Sequence, residues 1–246
     1  MRKSVVALVL AAVLPVAGAL AGCAERTGLP TPTLGPAAAD SAALVTDLTA
    51  RADGQRSVRF TSETTMTGLR VTLDGDLLRT PDGRLVSARE DSSTDVVVLE
   101  DAGYSRTDGG PWTRLDLADR APVHADTTVA GLADEVDPAV VVEALAGSLL
   151  VTTGDELVDG VPTRRYTVLV DLRVQAERTP AGTRRAQLLA AYESGFTASA
   201  TVWVGPGDLP VRVEQVLKTL EDNDFQRTVH RFTDWNADIR VTAPVS

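Results

Sequence analysis

The order of apolar and polar positions divides the chain into short runs with two different periods. Residues 41–52 carry Leu44, Val45, Leu48 and Ala52 on one helical stripe, with Asp40 or Ser41 placed to cap the start and Gly54 to end it. A long stretch with period two follows. In residues 57–68, Val58, Phe60 and Met66 share one parity while Arg59, Thr61 and Glu63 take the other. In residues 69–80, Leu69, Val71, Leu73 and Leu77 alternate with Arg70, Thr72, Asp74 and Asp76. Alternation of this kind describes strands with one apolar and one wetted face.

Turn chemistry separates the runs. Pro81-Asp82-Gly83, Asp108-Gly109-Gly110-Pro111 and Asp159-Gly160 supply the backbone conformations that tight hairpins need. Further strands are predicted at 84–90, 95–100, 103–107 and 112–115. Asp137-Pro138 then opens a helix in which Val140, Val141, Ala144 and Leu145 recur at helical spacing up to Gly147. Strands resume at 149–158 and 161–172. Thr183 is placed to cap a helix reaching Tyr192, with Leu188, Leu189 and Tyr192 on one side. Strands at 196–204, 209–220 and 225–235 and a short one near 239–241 complete the chain. The prediction is an α+β fold: about nine to eleven antiparallel strands in one large curved sheet, with helices across its concave side. That many strands in an open sheet favours curling, and a curled sheet can leave a hollow.

The first 22 residues do not fit this scheme. Arg2 and Lys3 precede an apolar stretch of Ala, Val and Leu that ends in Leu20-Ala21-Gly22-Cys23. Positive start, apolar run and small residues describe a secretory signal. A cysteine directly after Leu-Ala-Gly is similar to the bacterial lipobox, so Cys23 is the expected site of lipid attachment on the outer, extracytoplasmic face of a membrane. It is the only cysteine in 246 residues, so no disulfide helps the fold. Residues 23–42, rich in Pro, Thr, Gly and Ala, read as a lipidated tether, and 43–246 as a single domain. Two or more acyl chains would hold such a protein stably, where one would not.

Charge narrows the function. The formal net charge of −10 becomes −12 once Arg2 and Lys3 are cut away, which argues against nucleic acid as a partner. Candidate catalytic chemistry is sparse. His124 and His230 are the only histidines, and the chain carries neither a nucleophile-elbow motif nor a glycine-rich phosphate loop. Glu221-Asp222-Asn223-Asp224 reads as a solvated turn without the ligand spacing of a calcium loop. No enzyme activity, metal or cofactor is expected. What remains is the apolar face. Strand parity selects Val58, Phe60, Met66, Leu69, Val71, Leu73, Leu77, Val168, Val170, Val202 and Val204 as walls of a cavity, with Trp112 at its rim. Only 4% of residues are aromatic, and small side chains fill a wide sheet poorly.

The mature chain also resembles a known family. The pieces that carry the resemblance are Leu20-Ala21-Gly22-Cys23, the helix leading into Ser57-Val58-Arg59-Phe60, Gly68-Leu69 before Leu73-Asp74-Gly75-Asp76-Leu77, and Gly110-Pro111-Trp112-Thr113. Asp137-Pro138, Asp159-Gly160-Val161-Pro162-Thr163, Ala200-Thr201-Val202-Trp203-Val204 and the run from Trp235 to Pro244 follow in the same order. In this order they resemble the LppX/LprG family of mycobacterial lipoproteins, which includes LprA- and LprF-like members. The resemblance implies a half-barrel similar to periplasmic lipoprotein carriers and a cavity that takes the acyl chains of lipids or glycolipids. It further implies movement of such lipids between membrane layers, with a membrane transporter as a possible partner. The long segment 173–194 departs from the pattern and is placed to reshape or cover a cavity mouth. The alternative is a non-transporting lipoprotein with a filled interior, acting as sensor or interaction partner of a membrane protein.

Overall fold

The computed structural model describes residues 34–91, 93–117, 127–179, 182–221 and 223–244. The expected export segment, Cys23, the first part of the expected tether and His124 lie outside them. Helix α1 (Ser41–Asp53) leads into β1 (Ser57–Met66), β2 (Leu69–Thr80), β3 (Gly83–Glu90), β4 (Thr94–Val98), β5 (Ala102–Thr107) and β6 (Thr113–Asp116). Helices α2 (Thr127–Val136) and α3 (Pro138–Glu143) follow, then β7 (Leu149–Val158) and β8 (Val161–Val170). Helices α4 (Leu172–Arg178) and α5 (Thr183–Glu193) form a hairpin before β9 (Thr197–Val204), β10 (Pro210–Lys218) and β11 (Asp224–Thr233). Among the described residues, all the strands join one sheet of 11 in the order β6-β5-β4-β3-β2-β1-β11-β10-β9-β8-β7, and every pairing is antiparallel.

The local chemistry explains the boundaries. Asp40 caps α1 by accepting from the Ala43 amide at 2.8 Å, Asp137 caps α3 from Ala139 N at 2.8 Å, and Asp171 caps α4 from Arg173 and Val174. The Asp159-Gly160 turn has φ of 50° and 80°, and Asp108-Gly109 has 53° and 69°. Both pairs lie in the left-handed region; Asp159-Gly160 forms the two-residue turn between β7 and β8, and Asp108-Gly109 opens the longer connection between β5 and β6.

The sheet's inner face holds the main core. Val58, Phe60, Leu77, Val86, Val168, Val202, Val213 and Phe232 are buried there against Leu44, Val45 and Leu48 of α1, Val129, Leu132 and Val136 of α2, and Val141 and Val142 of α3. The centre of the concave side is therefore filled with side chains. Gly75 belongs to this face at the position opposite Phe60. A Cβ there would stand 2.3 Å from Ser87 O and 2.8 Å from the Phe60 ring. Gly75→Ala is expected to cost about 1–3 kcal/mol through overpacking, read as a lower urea midpoint at unchanged slope.

Three expectations about helices and strands need correction, and one about the tether. The predicted short strand near 239–241 is absent: Ile239 N donates to Ala237 O in a turn, and Ile239 and Val241 pack their side chains on the sheet's outer face instead. The β8 run stops at Val170, because Asp171 starts α4 rather than extending the strand to 172. Thr183 does not cap α5, since Gly182 holds that position without a side-chain bond. Residues 35–38, expected within the tether, already touch the sheet. Arg164 Nη1 donates to Gly35 O at 2.6 Å, and Ala38 N donates to the Tyr166 hydroxyl at 3.0 Å. The chain thus joins the domain at the end of β8 far from α4.

Candidate ligand-binding cavity

Where α4 and α5 lean over the sheet, side chains do not fill the space. A cavity of about 450 Å³ lies between this hairpin and β8–β11. Its position follows from the register. Met66 pairs with Gln226, Gln226 with Leu217, Leu217 with Ala198 and Ala198 with Val170, so these five inward residues form one row across the end of the sheet. All five line the cavity. The hairpin supplies the roof with Leu172, Gln175, Gln187, Leu188, Ala190 and Ala191, and Leu145 closes the inner end. Leu172, Ala176 and Leu188 are buried and pack with Phe196, Ala198 and Leu217, which fixes the hairpin to the sheet. Phe196 and Phe225 also line the space, their ring centroids 5.1 Å apart and tilted by 54°.

The hollow arises because the sheet's inner residues become small or polar towards this end. Ala198, Thr228, Gln215 and Gln226 stand where Val202, Phe232 and Val213 stand lower down. Small side chains leave volume, and the glutamines and Arg184 put hydrogen-bonding groups around it. Arg184 is the one titratable side chain among the described lining residues. The arrangement suits binding: a mostly apolar pocket with a few polar groups. At roughly 30 Å³ per water-sized group, the cavity holds about 15 of them, comparable to one acyl chain. His230 lies on the same inner face, two residues below Thr228. It is buried and stacked on Phe232, and burial pushes its imidazole down to about 4.

The candidate wall residues separate into groups. Met66 and Val170 line the cavity. Leu69 and Val71 share their parity on the adjoining β2, Leu69 well exposed and Val71 half-buried. Val58, Phe60, Leu77, Val168, Val202 and Val204 are instead buried in the filled core, with Leu73 packed against it. Trp112 is not at the rim: it lies on the outer face with Val97, Ile239 and Val241, its ring 4.6 Å from the Arg106 guanidinium. Strand parity found the correct face but not the depth along it. The roof of α4 and the Phe196–Phe225 pair were missed. Asp171, with the helical spacing of Leu172 and Ala176, was the available signal for α4.

No protein-family model matches the chain, and no curated protein matches it in sequence. Solved structures do. LprF from Mycobacterium bovis superposes with a TM-score of 0.53 at 15% identity, over 84% of this chain and 97% of its own. The Mycobacterium tuberculosis lipoprotein LppX superposes with a TM-score of 0.50, also at 15% identity, over 82% of this chain and 98% of its own. The chain therefore has the LppX- and LprF-like fold, an open antiparallel sheet curved around a few helices.

Proposed function

We propose that this chain is an exported protein, lipid-anchored at Cys23, that shelters one apolar chain of an acylated lipid or glycolipid and carries it between layers of the cell envelope. The observation that carries this reading is the 450 Å³ cavity under α4 and α5, lined by Met66, Val170, Leu188, Phe196, Ala198 and Leu217. A chain of about 16 carbons, at about 0.8 kcal/mol per methylene, exposes roughly 12 kcal/mol of unfavourable transfer free energy to water. Crossing an aqueous gap therefore calls for a shield of this kind, and the LppX- and LprF-like fold accommodates one.

Native mass spectrometry of protein made without its anchor tests the reading. A bound acyl lipid, or saturable uptake of a fluorescent one, is expected. Gln226→Trp, in the same lining row but outside the packed clusters, should fill the cavity and lower uptake by tenfold or more while leaving the urea midpoint nearly unchanged. Val202→Trp, aimed at the filled core, should instead destabilise by about 1–3 kcal/mol. Absence of both co-purified lipid and uptake would overturn the proposal. The filled centre of the concave face supports a second reading, a non-transporting partner of an envelope membrane protein. It predicts an empty cavity and recovery of a specific membrane protein in pull-downs.

A further inference from the structure

We infer that the end of the domain holding the cavity mouth is a docking face for a lipid bilayer, so that an apolar chain enters the cavity from the membrane. This deepens the binding reading above and rests on it. The antiparallel register places the β1–β2 turn, the β10–β11 turn, the start of β7, the end of β8 and the α4–α5 hairpin at one end of the sheet. Large apolar side chains are left in solvent there: Met66 and Leu69 on the first turn, Leu220 on the second, Leu149 and Leu169 on the β7–β8 pair, and Tyr192 on α5. Leu69 is 61% exposed and Leu220 is 78% exposed. Among the described residues, only Leu157 and Val161 of the large exposed apolar side chains lie at the opposite hairpin tip.

Single exposed leucines are ordinary, but Met66, Leu69, Leu220 and Tyr192 gathered at the end that holds an apolar cavity, with Leu149 and Leu169 beside them on the outer face of the same sheet end, mark an interaction site. Charge selects the partner. The hairpin carries Arg173, Arg178, Arg184 and Arg185 against Glu177 and Glu193, a positive element in a chain of net charge −10. A greasy rim beside a basic helix pair matches a surface with anionic headgroups. Glu221, Asp222 and Asp224, which follow Leu220 in the sequence, oppose that attraction, so the apolar side chains carry most of the contact.

The experiment uses the unlipidated chain starting at position 23. Among the described residues every helix and strand follows residue 40, so this chain keeps the whole described fold. Vesicles of phosphatidylcholine, with or without phosphatidylglycerol, carry a self-quenched acyl-fluorescent phospholipid, and both co-flotation and dequenching are read. Leu69→Ser with Leu220→Ser should lower extraction from vesicles by about tenfold, the equivalent of about 1.4 kcal/mol, and reduce flotation in parallel. The same variant should take up a monomeric short-chain probe from solution as the parent does. Leu157→Ser with Val161→Ser, at the far end, should change neither. Undiminished extraction and flotation by the rim variant would overturn the docking face, as would failure of the parent to bind vesicles of either composition. If the parent admits neither vesicle-borne nor monomeric probe, the cavity reading fails and the docking face falls with it.

Discussion

Asp137→Ala is expected to cost the fold about 3–5 kcal/mol, the largest effect of any single substitution considered for this protein. Asp137 is 2% exposed and serves three partners. One carboxylate oxygen caps α3 through the Ala139 amide and also accepts from Arg79 Nη2, and the other accepts from Arg84 Nη1 at 3.1 Å. Arg79 is itself mostly buried, and its remaining acid, Asp53, is largely solvent-exposed at 3.7 Å. Removing the carboxylate leaves two guanidinium groups facing each other across the β2–β3 pair, Arg84 still paired with the exposed Asp134 but the buried Arg79 with only the more distant Asp53, and it uncaps a helix, a loss of about 1 kcal/mol alone. Against the roughly 5–15 kcal/mol that holds a domain together, the variant should unfold at far lower urea. Asp137→Ala combined with Arg79→Met should recover part of the loss, because the stranded charge goes with its partner. A single variant within about 1 kcal/mol of the parent would show that the ion cluster contributes little.

That cluster also shows where sequence reading stops. Asp137-Pro138 was legible as a helix start, since an acid before a proline has a local cause. Its second role was not, because Arg79 and Arg84 flank the Pro81-Asp82-Gly83 turn and read as ordinary turn-side charges. In three dimensions they stand opposite each other on the inner parity of β2 and β3, where α3 arrives to meet them. The strands and their inward parities were legible because alternation is a local property. How deep each inward residue lies depends on which helix covers it, and no periodicity records that. Val202 and Ala198 share a face and a strand, yet one is core and the other cavity wall. The distinction comes from the hairpin at 172–193. The sequence marked this segment as an expansion and as a possible cover for a cavity, without showing that its first part is the helix α4.

Filled centre and open end together define what the fold offers a ligand. Helices α1–α3 take most of the concave surface, so the domain is not a hollow shell and a bulky multi-chain lipid would have to displace core side chains. The space under α4 and α5 is sized for one chain and bordered by Gln175, Gln187, Gln215, Gln226 and Arg184. An apolar tail held inside with a hydrogen-bonding head at the mouth satisfies both sets of groups. A fully apolar ligand would leave those amides without partners, at a cost of about 1–3 kcal/mol for each one buried.

Acid is expected to remove about 3 kcal/mol of stability between pH 6.5 and 4 through His230 alone. The side chain is 6% exposed, its register neighbours are Ser62 and Val213, and its ring stacks on Phe232 with centroids 6.1 Å apart. No carboxylate stands at these positions to balance an imidazolium, and burial lowers the pKa from 6.5 to about 4. The unfolded chain therefore takes up a proton at pH 6.5 while the folded one refuses it until about pH 4. Stability contributed by the neutral ring is complete above pH 6.5, falls at about 1.4 kcal/mol per pH unit as acid is added, and levels off below pH 4. Asp95 and Asp155, whose arginine partners hold them below the usual carboxylate range, lose their contribution only at still lower pH, so the two windows separate. His230→Phe keeps the stacked ring without the titrating nitrogens. Urea unfolding of parent and variant across pH 4–7.5 should give curves that diverge above pH 4 and run parallel above pH 6.5. Curves parallel throughout would mean that the buried ring accepts its proton as readily as a free one, and that water or a mobile acid reaches the inner face beside the cavity.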